Sequence, residues 1–122
     1  MTDPNFLILY VESPAASATF YSALLGRPPV ESSPGFVMFA LESGVMLGLW
    51  SSLAVKPAAT TAGGSEIAFT VADKPAVNAL NEQWTARGIR IAQAPTQLDF
   101  GYTFVGLDPD GHRLRVFCPA AA

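Results

Sequence analysis

Positive charge is scarce in this sequence. Seven lysines and arginines stand against ten acidic residues in a chain of 122, for a formal net charge of -3. They form no basic stripe, which argues against a phosphate backbone and so against nucleic acid as partner. No apolar run approaches the length needed to cross a bilayer, so no membrane partner is expected. The N-terminus, MTDPNF, lacks the basic flank and apolar stretch of a signal peptide. The single cysteine, Cys118, cannot form an internal disulfide, which fits a reducing cytoplasm. The single histidine, His112, lies in a run of turn residues and reads as a surface turn position. What is present is core material. Half of the chain is hydrophobic and only 14% is charged, enough for one domain that buries about two thirds of its unfolded surface.

An internal repeat organises the chain. In NFLILYVESPAASATFYSALLGRPPV, alternation puts Leu7, Leu9 and Val11 on one face of a strand. Ser13 is placed to cap a helix, Pro14 suits its first position, and Gly26 suits its stop. SEIAFTVADKPAVNALNEQWTARGIRI repeats that grammar. Ile67, Phe69 and Val71 form the strand face, Asp73 caps, Pro75 falls in the first turn, and Gly88 stops the helix. Val77, Leu80 and Trp84 mark the buried stripe of this helix. Each half then continues as strand, turn, strand, with turns at Ser43-Gly44 and at Asp108-Pro109-Asp110-Gly111. The expected organisation is a single domain over 1–122, with module one at about 5–50, a Pro/Gly-rich linker at 51–64, and module two at about 65–119. Each module reads as βαβββ, the third strand being thinly signalled.

FYSALLG at the end of the first helix, IAFTVAD at the opening of the second module and DPDGHRLRVF near the end occur in a characteristic order and spacing. With them the sequence resembles the glyoxalase/bleomycin-resistance/dioxygenase superfamily, the vicinal oxygen chelate proteins, from about Phe6 to Pro119. Within that superfamily GLWSS, SEIA, FGYTF and DPDGHRLRV most resemble the phenazine-antibiotic resistance proteins, which bind a drug without altering it. The resemblance implies an α+β fold in which two tandem βαβββ modules form curved mixed sheets around a cavity, with helices on the outer face. It also implies a homodimer with a shared cavity.

Strand alternation then sorts side chains between helix and cavity. Phe6, Ile8 and Tyr10 fall to the cavity, as do Phe36, Met38 and Ala40, then Met46, Gly48 and Trp50. From the second module come Glu66, Ala68 and Thr70, then Tyr102, Phe104 and Gly106, then Arg113, Arg115 and Phe117. Metal-dependent members place ligands at positions matching Phe6, Gly48, Glu66 and Arg115. Only Glu66 offers a ligand there, and Arg115 is a permanent cation. No metal and no cofactor is therefore expected.

Two readings of the charged residues stand side by side. Glu66 and Arg115 form a structural ion pair, or that pair or Arg113 anchors a polar group on a ligand. The aromatic residues Tyr10, Phe36, Trp50, Tyr102, Phe104 and Phe117, with Met38 and Met46, either fill a closed core or build a slot for a flat ring. The leading expectation is a non-enzymatic protein that sequesters a planar aromatic molecule, phenazine-like or quinone-like, with Trp50 as the stacking platform. The alternative is a lyase, isomerase or dioxygenase of the same superfamily, metal-free with Glu66 as base or with displaced metal ligands. A protein-interaction module would need a large exposed apolar patch, which the alternation does not predict.

Overall fold

Ser13 is the point at which the chain turns from strand to helix. A computed structural model describes residues 1–120. In it, strand β1 (Phe6–Val11) ends just before Ser13, whose extended backbone lets its hydroxyl accept the Ala16 amide at 3.1 Å. Pro14 follows, in a first turn where a missing N–H costs nothing, and helix α1 runs over Pro14–Leu25. Gly26 ends it in the left-handed conformation at φ 69°, its amide bonded to the Ser22 carbonyl. A side chain at that φ would be strained.

The chain continues as β2 (Glu31–Ser33), β3 (Phe36–Ala40) and β4 (Met46–Ser51). These strands complete a first compact unit, Met1–Thr61. Its sheet has the order β1-β4-β3-β2, with β1 parallel to β4 and the other pairs antiparallel. A second unit begins at Ala62. It contains β5 (Glu66–Thr70), α2 (Lys74–Ala86), β6 (Ile91–Leu98), β7 (Gly101–Leu107) and β8 (Arg113–Pro119). Asp73 caps α2 by accepting the Ala76 amide at 2.9 Å. The second sheet repeats the first as β5-β8-β7-β6, with β5 parallel to β8. The class is α+β, and among the described residues each unit holds one four-stranded mixed sheet and one helix. Among the described residues no helix is long and apolar enough to cross a membrane.

Register decides which side chains meet the helices. In the first unit the ladder places Val37 opposite Leu49 and Phe39 opposite Leu47. These four, with Val11 and the α1 residue Tyr21, are buried and form the core. The opposite parity, Phe36, Met38, Ala40, Met46, Gly48 and Trp50, faces away from α1, as expected. In the second unit Leu114, Val116 and the α2 residues Val77 and Trp84 are buried. Phe69 meets Trp84 edge to face at 6.2 Å.

The second unit also corrects one expectation. Tyr102, Phe104 and Gly106 do not share a face with Arg113 and Arg115. The β7–β8 ladder sets Phe104 opposite the buried Val116 and Gly106 opposite the buried Leu114. Phe104 is fully buried, 5.0 Å from Trp84 between ring centroids. A Cβ on Gly106 would lie 2.7 Å from the Trp84 ring, so the indole packs directly on that glycine. The Tyr102 hydroxyl donates to Asn78 Oδ1 on α2 at 2.8 Å. All three residues point toward the helix. Thr103 and Val105, directly opposite Phe117 and Arg115, occupy the other face.

Candidate functional site

The open face of the first sheet, the one turned away from α1, is built almost entirely from rings and flexible apolar side chains. Adjacent strands bring Phe6 beside Met46, Ile8 beside Gly48 and Tyr10 beside Trp50. The antiparallel neighbour adds Phe36 beside Trp50 and Met38 beside Gly48. Phe36 and Trp50 meet edge to face, 6.4 Å apart with planes at 90°. Such a pair contributes about 0.5–1.5 kcal/mol beyond its burial.

Gly48 lets this surface lie flat. A Cβ there would come within 2.8 Å of Phe36 Cζ and 3.0 Å of Phe6 Cε1. Both rings therefore fold over the glycine. In spite of this packing, Phe6, Ile8 and Tyr10 keep 41, 45 and 41% of their surface exposed, and Leu7, on the parity expected to face the helix, keeps 44%. The strand alternation did not predict this group of open apolar side chains, and such groups mark surfaces that meet a ligand or another protein.

The second sheet's open face carries charge instead. Glu66 lies on β5 and Arg115 on the neighbouring β8. Arg115 Nε donates to Glu66 Oε1 at 2.5 Å and Nη2 donates to Oε2 at 3.3 Å, a two-pronged pair. Nη1 donates to Thr103 Oγ1 at 3.1 Å, and that hydroxyl in turn donates to the Val116 carbonyl at 2.9 Å. The guanidinium also lies over the Phe100 ring at 5.5 Å, and Phe100 meets Phe117 edge to face. The side chains of Arg115 and Glu66 retain 15 and 31% exposure, so the pair is partly shielded from solvent.

These residues do not fit a divalent cation. Of the four positions that match the superfamily's ligand sites, Phe6 and Gly48 have no donor side chain and lie against each other. Glu66 has both carboxylate oxygens engaged by Arg115, which is itself a cation. Among the described residues no three His, Cys, Asp or Glu side chains converge. His112 belongs to the turn before β8, where its amide donates to the buried Asp108 carboxylate at 2.8 Å.

Each unit thus brings together one group of the expected site residues. Phe6, Tyr10, Phe36, Met38, Met46, Gly48 and Trp50 share one face in the first unit. Glu66, Arg113, Arg115 and Phe117 share one in the second. Tyr102 and Phe104 leave the set, and Thr103 and Phe100 enter it as the groups that hold the Arg115 guanidinium. The turn at Asp108-Pro109-Asp110-Gly111 carried the missing signal. Counting outward from Leu107 opposite Arg113 places Val105 opposite Arg115 and Thr103 opposite Phe117.

A family model for the glyoxalase/bleomycin resistance protein/dioxygenase superfamily matches residues 4–116. The chain belongs to this superfamily. Its similarity to the phenazine antibiotic resistance protein EhpR of Enterobacter agglomerans extends over 119 residues at 32% identity, covering 95% of this chain and 91% of that one. An Agrobacterium tumefaciens protein known from a solution NMR structure is 51% identical and superposes with a TM-score of 0.92, covering 99% of this chain and all of that one. The superfamily fold recurs in a lactoylglutathione lyase of the same organism, with a TM-score of 0.78 at 21% identity over 97% of this chain and 94% of that one. At that identity the likeness is one of fold alone.

Proposed function

We propose that this superfamily member binds a planar aromatic small molecule of the phenazine type and holds it without chemical change, as a resistance or sequestration protein. The observation that carries this reading is the replacement of ligand chemistry by ring chemistry. Where metal-dependent relatives coordinate, the first unit presents Phe6 folded over Gly48 beside Phe36 and Trp50, and the second unit presents a closed ion pair. Similarity to a phenazine resistance protein supports the ligand class. Trp50 supplies the stacking platform, with Phe36 set edge-on to it and Met38 and Met46 adapting to the ring's outline. Two or three contacts of about 0.5–1.5 kcal/mol each, added to apolar burial, are consistent with micromolar affinity, about -8 kcal/mol. A cytoplasmic homodimer belongs to the same proposal, and light scattering of the purified chain reads its dimeric part.

The test is a titration of chelator-treated protein with phenazine, followed by tryptophan fluorescence. Trp84 is buried between Phe69 and Phe104, so saturable quenching is expected to come from Trp50 and to vanish in Trp50→Phe. Quenching that is unchanged in the variant would remove Trp50 from the site. A stoichiometric transition metal in the untreated protein would overturn the binding-only reading.

A further inference from the structure

The second unit contains a cleft that the stacking surface does not account for. It measures about 210 Å³ and is lined by Ala92, Gln93, Leu98, Val105, Arg113 and Arg115. Its charges do not balance. Its lining holds two arginines and no carboxylate, and Glu66 on the neighbouring strand has both oxygens taken by Arg115. The side chain of Arg113, which stands directly across the ladder from Glu66, makes no hydrogen bond or ion pair to any described residue. Two guanidiniums thus stand against a single anion that is already engaged, which leaves a planar five-donor fork open to the cleft. Gln93, opposite Val105 on the same face, adds an amide. Leu98 and Ala92 form apolar walls, and the buried Val105 closes the floor between them.

We propose that this cleft binds a carboxylate carried on an aromatic or similarly flat apolar group, with Arg113 as the residue that recognises the anion. A guanidinium matches a carboxylate with two parallel N–H donors, which a lysine cannot do. Arg115 is held in place by Glu66 and Thr103 and contributes a fixed positive field without leaving its partners. Ala92 and Leu98, which keep open surface, take the hydrocarbon above the buried Val105. The inference goes beyond the proposed function because it rests on residues of the second unit alone.

The test compares sodium 1-naphthoate with 1-naphthamide, a flat molecule of the same shape that lacks the charge. Both are titrated into the full chain, and the backbone amide shifts of Gln93, Val105 and Arg113 are followed by NMR. The expected result is at least tenfold tighter binding of the acid than of the amide, and loss of that preference in Arg113→Gln. Arg113→Lys, which keeps the charge and loses the fork, is expected to recover only part of the preference. Arg113 is exposed, so these variants are expected to fold, and their amide spectra check it. Equal affinity for acid and amide, an unchanged preference in Arg113→Gln, or no shifts with either probe would each overturn the proposal. Phenazine quenching at Trp50 is scored separately, so failure here leaves the stacking reading intact, and the reverse also holds.

Discussion

Removing Arg115 isolates the one ion pair that replaces a ligand position of the superfamily. Arg115→Met deletes two hydrogen bonds to Glu66 and one to Thr103 and leaves a carboxylate that is 31% exposed without its partner. Exposed pairs contribute about 0.2–1 kcal/mol, whereas breaking a fully buried pair costs about 3–5 kcal/mol. A bidentate, partly shielded pair lies between these limits, so the expected loss is about 2 kcal/mol. For a chain of this length that lowers the melting temperature by roughly 8 °C. Glu66→Gln keeps a carbonyl acceptor for the guanidinium and is expected to cost about half as much. The double variant should cost less than the sum of the two, with a coupling of about 1 kcal/mol. Urea unfolding of the four proteins measures the cycle. In about 1 M salt, where the screening length is roughly 3 Å, part of the coupling should survive, because the pair is shielded. Single-variant costs that add to within about 0.3 kcal/mol would show that the pair is not coupled, and the account of the second open face would fail.

Gly48→Ala places a methyl group against Phe36 Cζ and Phe6 Cε1, so both rings must tilt. The expected cost is about 1–2 kcal/mol in urea unfolding, with at least fivefold weaker quenching by phenazine. Tyr102→Phe removes an exposed hydrogen bond to Asn78 on the helix side. It should cost about 0.5 kcal/mol or less and leave quenching unchanged, and a tenfold loss of affinity would return Tyr102 to the binding face.

The helices were legible from the sequence because their end signals are local. Ser13, Pro14 and Gly26 around one helix, and Asp73 and Pro75 at the start of the other, each act within a turn of their own position. The first sheet was legible as well, since Val37, Phe39, Leu47 and Leu49 fall on one parity and the exposed rings on the other. Strand β7 offers no such contrast. It is buried on both parities from Thr103 to Gly106, so hydrophobicity alone cannot say which side faces α2. Pairing across the Asp108–Gly111 turn decides it, together with the close approach of Trp84 to Gly106. Thr103 escaped notice for a related reason. A small hydroxyl among apolar neighbours announces nothing until the guanidinium it receives is in place.

The Glu66–Arg115 pair also couples two positions in sequence space. A metal-binding second sheet would require a carboxylate at position 115 beside Glu66. Arg115→Glu alone would set two anions face to face on a partly shielded surface, with Thr103 left holding neither. Glu66→Ala alone would leave Arg115 without its anion. Either change alone leaves the other residue's charge unpaired, so each of the two positions constrains what can stand at the other. On the aromatic face of the first unit the constraint is steric and centred on Gly48, and no charge there is left unpaired by a substitution. The two open faces thus tolerate change differently, the first through the fit of uncharged rings and the second through the balance of one ion pair.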